Sequence, residues 1–383
     1  MNYELIIKNG TVVDPAQGIH ARKDVAFANG RVSVVSDEIP TSEAREVLDA
    51  SGCFVTPGLI DLHVHVFYGV SHFGIEPDPT CLARGATTVV DAGSAGADTF
   101  PGFRKYVIDV SDTRILAQLN ISSQGMLTEE IGELENPDYA DVGKACRMIE
   151  QHRDIILGVK VRLTRESIVG ARAQMLPLQR AREAADAAGL PIMVHPQDAW
   201  CESIDDILAL MGERDILTHC FHDMPCGILD ENGRIRDSVH AAIERGVIFD
   251  VGHGAGSFSW DVVQKAMAQG VEPTTISSDL HVYNVNGPVY DLVNVVNKFL
   301  YLGMSLDDAL AKVTRIPAET ILMPGEVGTL AVDAWGDAVI FELREGEFQL
   351  VDARGETKIG RQKLEPVVVV KGGQVYRQRH IHD

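Results

Sequence analysis

Short apolar runs alternate with helix-compatible stretches through the middle of the chain, and this alternation limits the fold more than any other feature. The runs fall at 59–64, 87–90, 114–119, 155–161, 191–194, 215–217, 247–251 and 275–277. Segments between them, such as 179–188 and 204–211, have the apolar spacing and alanine content of amphipathic helices. Strands that read as continuous apolar runs are buried on both faces, as in a parallel sheet. Eight β-then-α units predict a closed (β/α)8 TIM barrel of the α/β class. An open doubly wound sheet is the alternative, but no G-x-G-x-x-G fingerprint follows the first run.

The two chain ends differ from the middle and resemble each other. β-branched runs are broken by Asn9-Gly10, by Asn29-Gly30 and, near the finish, by Gly372-Gly373. Such pairs supply the positive φ of tight hairpin turns. The reading is a small β-sandwich domain assembled from both termini, residues 1–56 plus 325–383, around a barrel at 57–324. The chain has 383 residues, with 34 Lys and Arg against 55 Asp and Glu, a net charge of −21. That balance argues against a nucleic-acid partner, which needs a basic face. Neither a secretory signal nor an apolar run near the ~18 residues of a membrane span is visible. Six cysteines without a C-x-x-C pair suggest reduced thiols and a cytoplasmic location. The expected partner is a small-molecule substrate; a homo-oligomer is left open.

In a barrel, reactive residues come from the C-terminal ends of the strands. Those ends here carry His63 and His65, Lys160 and Arg162, His195, His219, and Asp279. Side chains at i and i+2 share a strand face, so His63 and His65 can address one ion. Alone, His-x-His is a weak signal; further strand-end histidines and an aspartate strengthen it. Neutral imidazoles and a carboxylate suit zinc, and also manganese, iron or cobalt. An ammonium repels a cation, so Lys160 is either an ion-pairing lysine or, after adding carbon dioxide, a carbamate able to bridge two ions.

Around these residues stand three distinctive stretches: Pro57-Gly58-Leu59-Ile60-Asp61-Leu62-His63-Val64-His65, Thr87-Thr88-Val89-Val90-Asp91-Ala92-Gly93-Ser94-Ala95-Gly96, and Asp250-Val251-Gly252-His253-Gly254. With them the chain resembles the amidohydrolase superfamily, and within it the dihydroorotase-like metal-dependent deacetylases. The resemblance implies two divalent ions, zinc first among them. His63, His65 and Asp279 would hold the more buried ion and His195 and His219 the outer one, with carboxylated Lys160 between. The ions would lower the pKa of a water, and Asp279 would take its proton and return it to the departing nitrogen or oxygen. The implied reaction is hydrolysis of an amide or ester in a small acylated, carboxylate-bearing metabolite, with an acetyl group the favoured acyl part. A cyclic amidohydrolase opening a dihydroorotate-like or hydantoin-like ring is the alternative, and nucleobase deamination a weaker third. A non-catalytic barrel homologue would show gaps in the ligand set; there are none.

Three further residues are candidates for substrate contact. Arg162 could clamp a carboxylate or form a salt bridge at the rim. His253, among glycines, and His281, two residues after Asp279, could touch substrate or support the ligands. Asp61 reads as structural or supporting, Cys220 as a buried thiol, and 68–80 as a loop over the mouth. His380-Ile381-His382 is set aside as a terminal tail.

Overall fold

A computed structural model describes residues 2–377; the His380-Ile381-His382 segment lies outside them. The N-terminal part supplies five strands: β1 (Tyr3–Asp14), β2 (Ile19–Ala28), β3 (Arg31–Ser36), β4 (Ala44–Asp49) and β5 (Phe54–Pro57). Seven follow in the middle: β6 (Leu59–Val64), β7 (Ala86–Gly96), β8 (Arg114–Asn120), β9 (Ile156–Arg162), β10 (Ile192–His195), β11 (Ile216–Leu217) and β12 (Ile248–Phe249). Three close the chain: β13 (Ala338–Val351), β14 (Thr357–Lys371) and β15 (Gln374–Val375).

β6 to β12 pair in parallel, each with its sequence neighbour, as one curled seven-stranded sheet. Helices such as Leu176–Ala188 and Trp260–Ala268 lie between successive strands or beyond them. The predicted eighth run, 275–277, forms no strand. Single parallel bridges, Asp250 to Thr275 and Val64 to Leu280, tie that segment to both edges of the sheet. The side chains explain the irregularity. Thr275 and Ser277 donate to Asp250, Ser278 donates to Asp61, and Asp279 sits at φ 50°, outside the extended region of a regular strand.

The terminal strands form one eight-stranded hydrogen-bonded sheet drawn from both chain ends. Its order is β15-β14-β13-β5-β1-β2-β3, with β4 against β1. Alternation along β1 divides its side chains between two clusters. Leu5 and Ile7 pack with Phe27, Val55 and Ile340, whereas Ile6 packs with Ala26 and Ile39. Asn29-Gly30 and Gly372-Gly373 turn hairpins as predicted, with φ of 54° and 75°, and 56° and 75°. Asn9-Gly10 does not. β1 continues through it, and the φ of 63° at Asn9 is spent on a bulge between Ile7 and Gly10. Among the described residues no helix is long and apolar enough to cross a membrane.

Candidate active site

The sheet delivers its polar strand ends to one cleft of about 400 Å³. His63 lies near the end of β6 and His65 just beyond it; Lys160 and Arg162 share a face of β9, and His195 ends β10. His219 lies two residues past β11, and Asp279 in the irregular eighth segment. All seven line the cleft, together with His281. His63, His65 and Asp279 come closest: the two Nε2 atoms lie 3.3 and 3.2 Å from Asp279 Oδ1. Lys160 Nζ stands 3.5 Å from His63 Nε2. The His195 and His219 rings are 4.4 Å apart, outside the tight trio.

Hydrogen bonds behind the rings decide which nitrogens are free. Thr218 Oγ1 donates to Asp250 Oδ2 at 2.8 Å, so its oxygen accepts from His63 Nδ1, also at 2.8 Å. His65 Nδ1 meets Ser94 Oγ at 2.9 Å, and His219 Nδ1 donates to the Gly252 carbonyl at 2.6 Å. With Nδ1–H so engaged, His63 and His219 present Nε2 lone pairs, the usual state of metal-ligating imidazoles. On His195 the engaged nitrogen is Nε2, 3.3 Å from Thr164 Oγ1.

Electrostatics favours the same state. Burial pushes His63 and His65 well below the usual imidazole range, with the Lys160 cation adding to it, and lowers His219 to about 3. Burial also brings the Lys160 amine down to about 8, against the pull of Asp279. The His63 Nε2 lone pair and the His65 Nε2 atom therefore converge on one carboxylate oxygen of Asp279. Two imidazole Nε2 atoms at 3.3 and 3.2 Å from one carboxylate oxygen make an N,N,O donor set that suits zinc. The residues fit a metal ion.

Glycines let the backbone close on this group. Gly254, at φ 56°, would place a Cβ 2.5 Å from Asp279 Oδ2, and Gly252, at φ 45°, would place one 2.3 Å from Thr218 Oγ1. Gly254→Ala is expected to displace the Asp279 carboxylate and cost about 10²-fold in kcat/KM, since misplacing a reacting group by an ångström has that effect. Unchanged steady-state kinetics in that variant would contradict the placement.

The substrate-contact candidates separate. Arg162 forms the salt bridge rather than a free clamp: Nε and Nη2 donate to Glu133 at 2.6 and 2.7 Å, leaving Nη1. Its guanidinium lies 5.3 Å from the Phe73 ring. His253 does not join the cleft. It is wholly buried, its Nε2 lies 2.6 Å from Lys298 Nζ, and its Nδ1 donates to the Gly254 carbonyl. His281 lines the cleft, its pKa lowered to about 4 by burial. The 68–80 loop does reach the mouth, contributing His72 and Phe73. Asp61 is structural, accepting from the amides of His63 and Ser278. Cys220 is buried, which pushes its thiol pKa up. Sequence reasoning missed Glu133, Thr218, Ser94 and Lys298. Only Thr218, a hydroxyl directly before His219, carried a local signal.

Comparison with known proteins decides the family. The model of the amidohydrolase family matches residues 54–376. The chain belongs to the amidohydrolase family. It is therefore a hydrolase acting on carbon–nitrogen bonds. Among family members it is 33% identical over 380 residues to a deacetylase of Enterococcus faecalis, covering 98% of this chain and 100% of that one. A solved chain described as an adenine deaminase is 32% identical, with a TM-score of 0.89, over 98% of this chain and 100% of that one. Another, described as a dihydroorotase, is 29% identical, with a TM-score of 0.85, over 97% and 98%.

Proposed function

We propose that the protein is a binuclear metal-dependent hydrolase that removes an acyl group, an acetyl group first, from a small carboxylate-bearing metabolite through its amide or ester bond. The observation that carries this reading is the convergence of His63, His65 and Asp279 beside buried Lys160. In this reading those three would hold one ion, zinc first, and His195 and His219 the second. Lys160 would be a further ligand as a carbamate: its neutral amine would add to carbon dioxide and lose a proton, giving an anion. Bound divalent ions at these positions supply Lewis acidity, polarising a carbonyl and lowering the pKa of water.

The chain's own groups do the rest. Asp279 moves the proton from the attacking water to the leaving nitrogen or oxygen, because the buried imidazoles are too weakly basic to hold it. Glu133 fixes the Arg162 plane, and Nη1 meets the substrate carboxylate. His72, Phe73, Tyr283 and His281 cover the non-acyl part, and a cleft of about 400 Å³ limits it to a small metabolite. The same reading takes the eighth segment as the last unit of an eight-unit barrel at 57–324, with residues 1–56 plus 325–383 as the small β domain. It places the protein in the cytoplasm, without nucleic-acid or membrane partners.

Likeness to the chain described as a dihydroorotase supports a second reading, opening of a cyclic amide. A screen of N-acetyl and O-acetyl acids against cyclic ureides, with adenine as a third arm, separates the readings. Acetylated acids are expected to lead by about 10²-fold or more in kcat/KM. A lead by the ureides or by adenine would overturn the deacylase reading.

A supporting hydroxyl offers a check that needs no substrate. Thr218→Val keeps the side-chain shape but removes the acceptor for His63 Nδ1–H. Metal affinity is expected to fall by about 10–100-fold, the usual cost of losing a ligand's hydrogen-bond partner. In the metal-free protein, nitrogen NMR should report a mixed His63 tautomer. An unchanged tautomer and affinity would show that Thr218 does not set the ring.

A further inference from the structure

Six thiols are spread along the chain, and two of them meet although 25 positions separate them. Cys201 lies in the segment after β10 and Cys226 in the segment after β11. Their sulfurs are 3.3 Å apart, and both residues are half-buried. The two segments are already tied by the Asp198 amide, which donates to the Pro225 carbonyl at 3.0 Å. A disulfide, about 2.05 Å between sulfurs, needs only a small approach from there. Neither cysteine lines the cleft.

The two thiols are also unequal. The bond between the two thiols lowers Cys226 to about 7; burial and the Asp198 carboxylate oppose that shift, and the Ala199 amide and the Arg165 guanidinium favour it. Cys201 is shifted up by the same bond. Burial raises Cys81 and Cys220, and to a smaller extent Cys53. The pair therefore contains one sulfur suited to attack and a neighbour placed to resolve the product.

We propose that Cys201 and Cys226 form a hydroperoxide-reactive dithiol site that closes to a reversible intramolecular disulfide. The Cys226 sulfur attacks one peroxide oxygen and the O–O bond breaks, giving a sulfenic acid and, after protonation, water. The Cys201 sulfur then attacks the sulfenic sulfur and displaces its oxygen as a second water. Two thiols and one hydrogen peroxide thus become one disulfide and two waters.

The test treats the full-length protein with a small molar excess of hydrogen peroxide and maps its peptides by mass spectrometry. The expected product joins the Cys201 and Cys226 peptides with loss of two hydrogens, reverses with dithiothreitol and leaves metal content unchanged. Cys201→Ser should instead accumulate a dimedone-trappable sulfenic acid at Cys226, and Cys226→Ser should leave Cys201 unmodified at the same dose. Oxidation of another cysteine first, or over-oxidation of wild-type Cys226 without the crosslink, would overturn the proposal. The wild-type map decides it even if a variant fails to fold.

Discussion

Asp279→Asn is expected to lower kcat/KM by about 10²–10⁴-fold, the range that loss of a positioned proton carrier commands. The amide matches the carboxylate in size but can neither take up a proton nor offer its charge to a cation. Its nitrogen would point hydrogens at lone pairs 3.2 and 3.3 Å away on His65 and His63. The fold should survive, because the segment around Asp279 is held by other bonds: the Asp279 amide to the His63 carbonyl, the His65 amide to the Leu280 carbonyl, and Ser278 to Asp61. Steady-state kinetics with circular dichroism on the same sample separates a chemical loss from a structural one. A loss below tenfold in a folded variant would move the proton to another group, His281 first, whose ring lies 6.3 Å from that of His65.

Lys160→Ala should lose more than about 10²-fold in activity, exceeding the loss expected for a residue that only supports a ligand. The effect should be partly reversible. The lysine stem fills a narrow passage against Gly93, where a Cβ would come within 2.7 Å of it, and Met193 Sδ lies 3.5 Å from Nζ. Truncation opens that passage, and acetate or propionate can enter it and return a carboxylate to the mouth of the cleft. Rescue by short carboxylic acids, absent with alkylamines of the same length, would mark the native group as an anion. Unchanged activity and metal content in Lys160→Ala would refute the carbamate and return Lys160 to an ordinary buried amine.

Much of the architecture was legible because it rests on patterns that local physics imposes. Continuous apolar runs had to be strands buried on both faces, and seven of the eight are. The eighth was misread because its apolar character ends at Ser277-Ser278-Asp279, where side-chain hydroxyls and a carboxylate compete for the backbone bonds of a strand. Asn9-Gly10 has the composition of a hairpin turn, yet the same positive φ also serves a bulge, and only the partner strand distinguishes them. In the cleft, strand parity paired His63 with His65 and strand ends brought Asp279 to the same mouth, while their grouping around one ion came from the family resemblance. Glu133 could not be matched with Arg162, since it sits in a long segment with no periodicity to place it. His253 was misjudged for a related reason: its glycine neighbours do approach the site, but they bring backbone there while the ring turns back to Lys298. The Cys201–Cys226 contact depends on two loops meeting, which no spacing rule encodes.

Metal analysis of the purified protein, never exposed to chelator, tests the central claim most directly. The account predicts about two equivalents of divalent ion per chain, zinc first, with loss of activity on chelation and return on re-addition. Far less than one equivalent in an active, folded preparation would contradict it, because the imidazoles and carboxylate gathered around Asp279 would then serve some purpose other than holding cations.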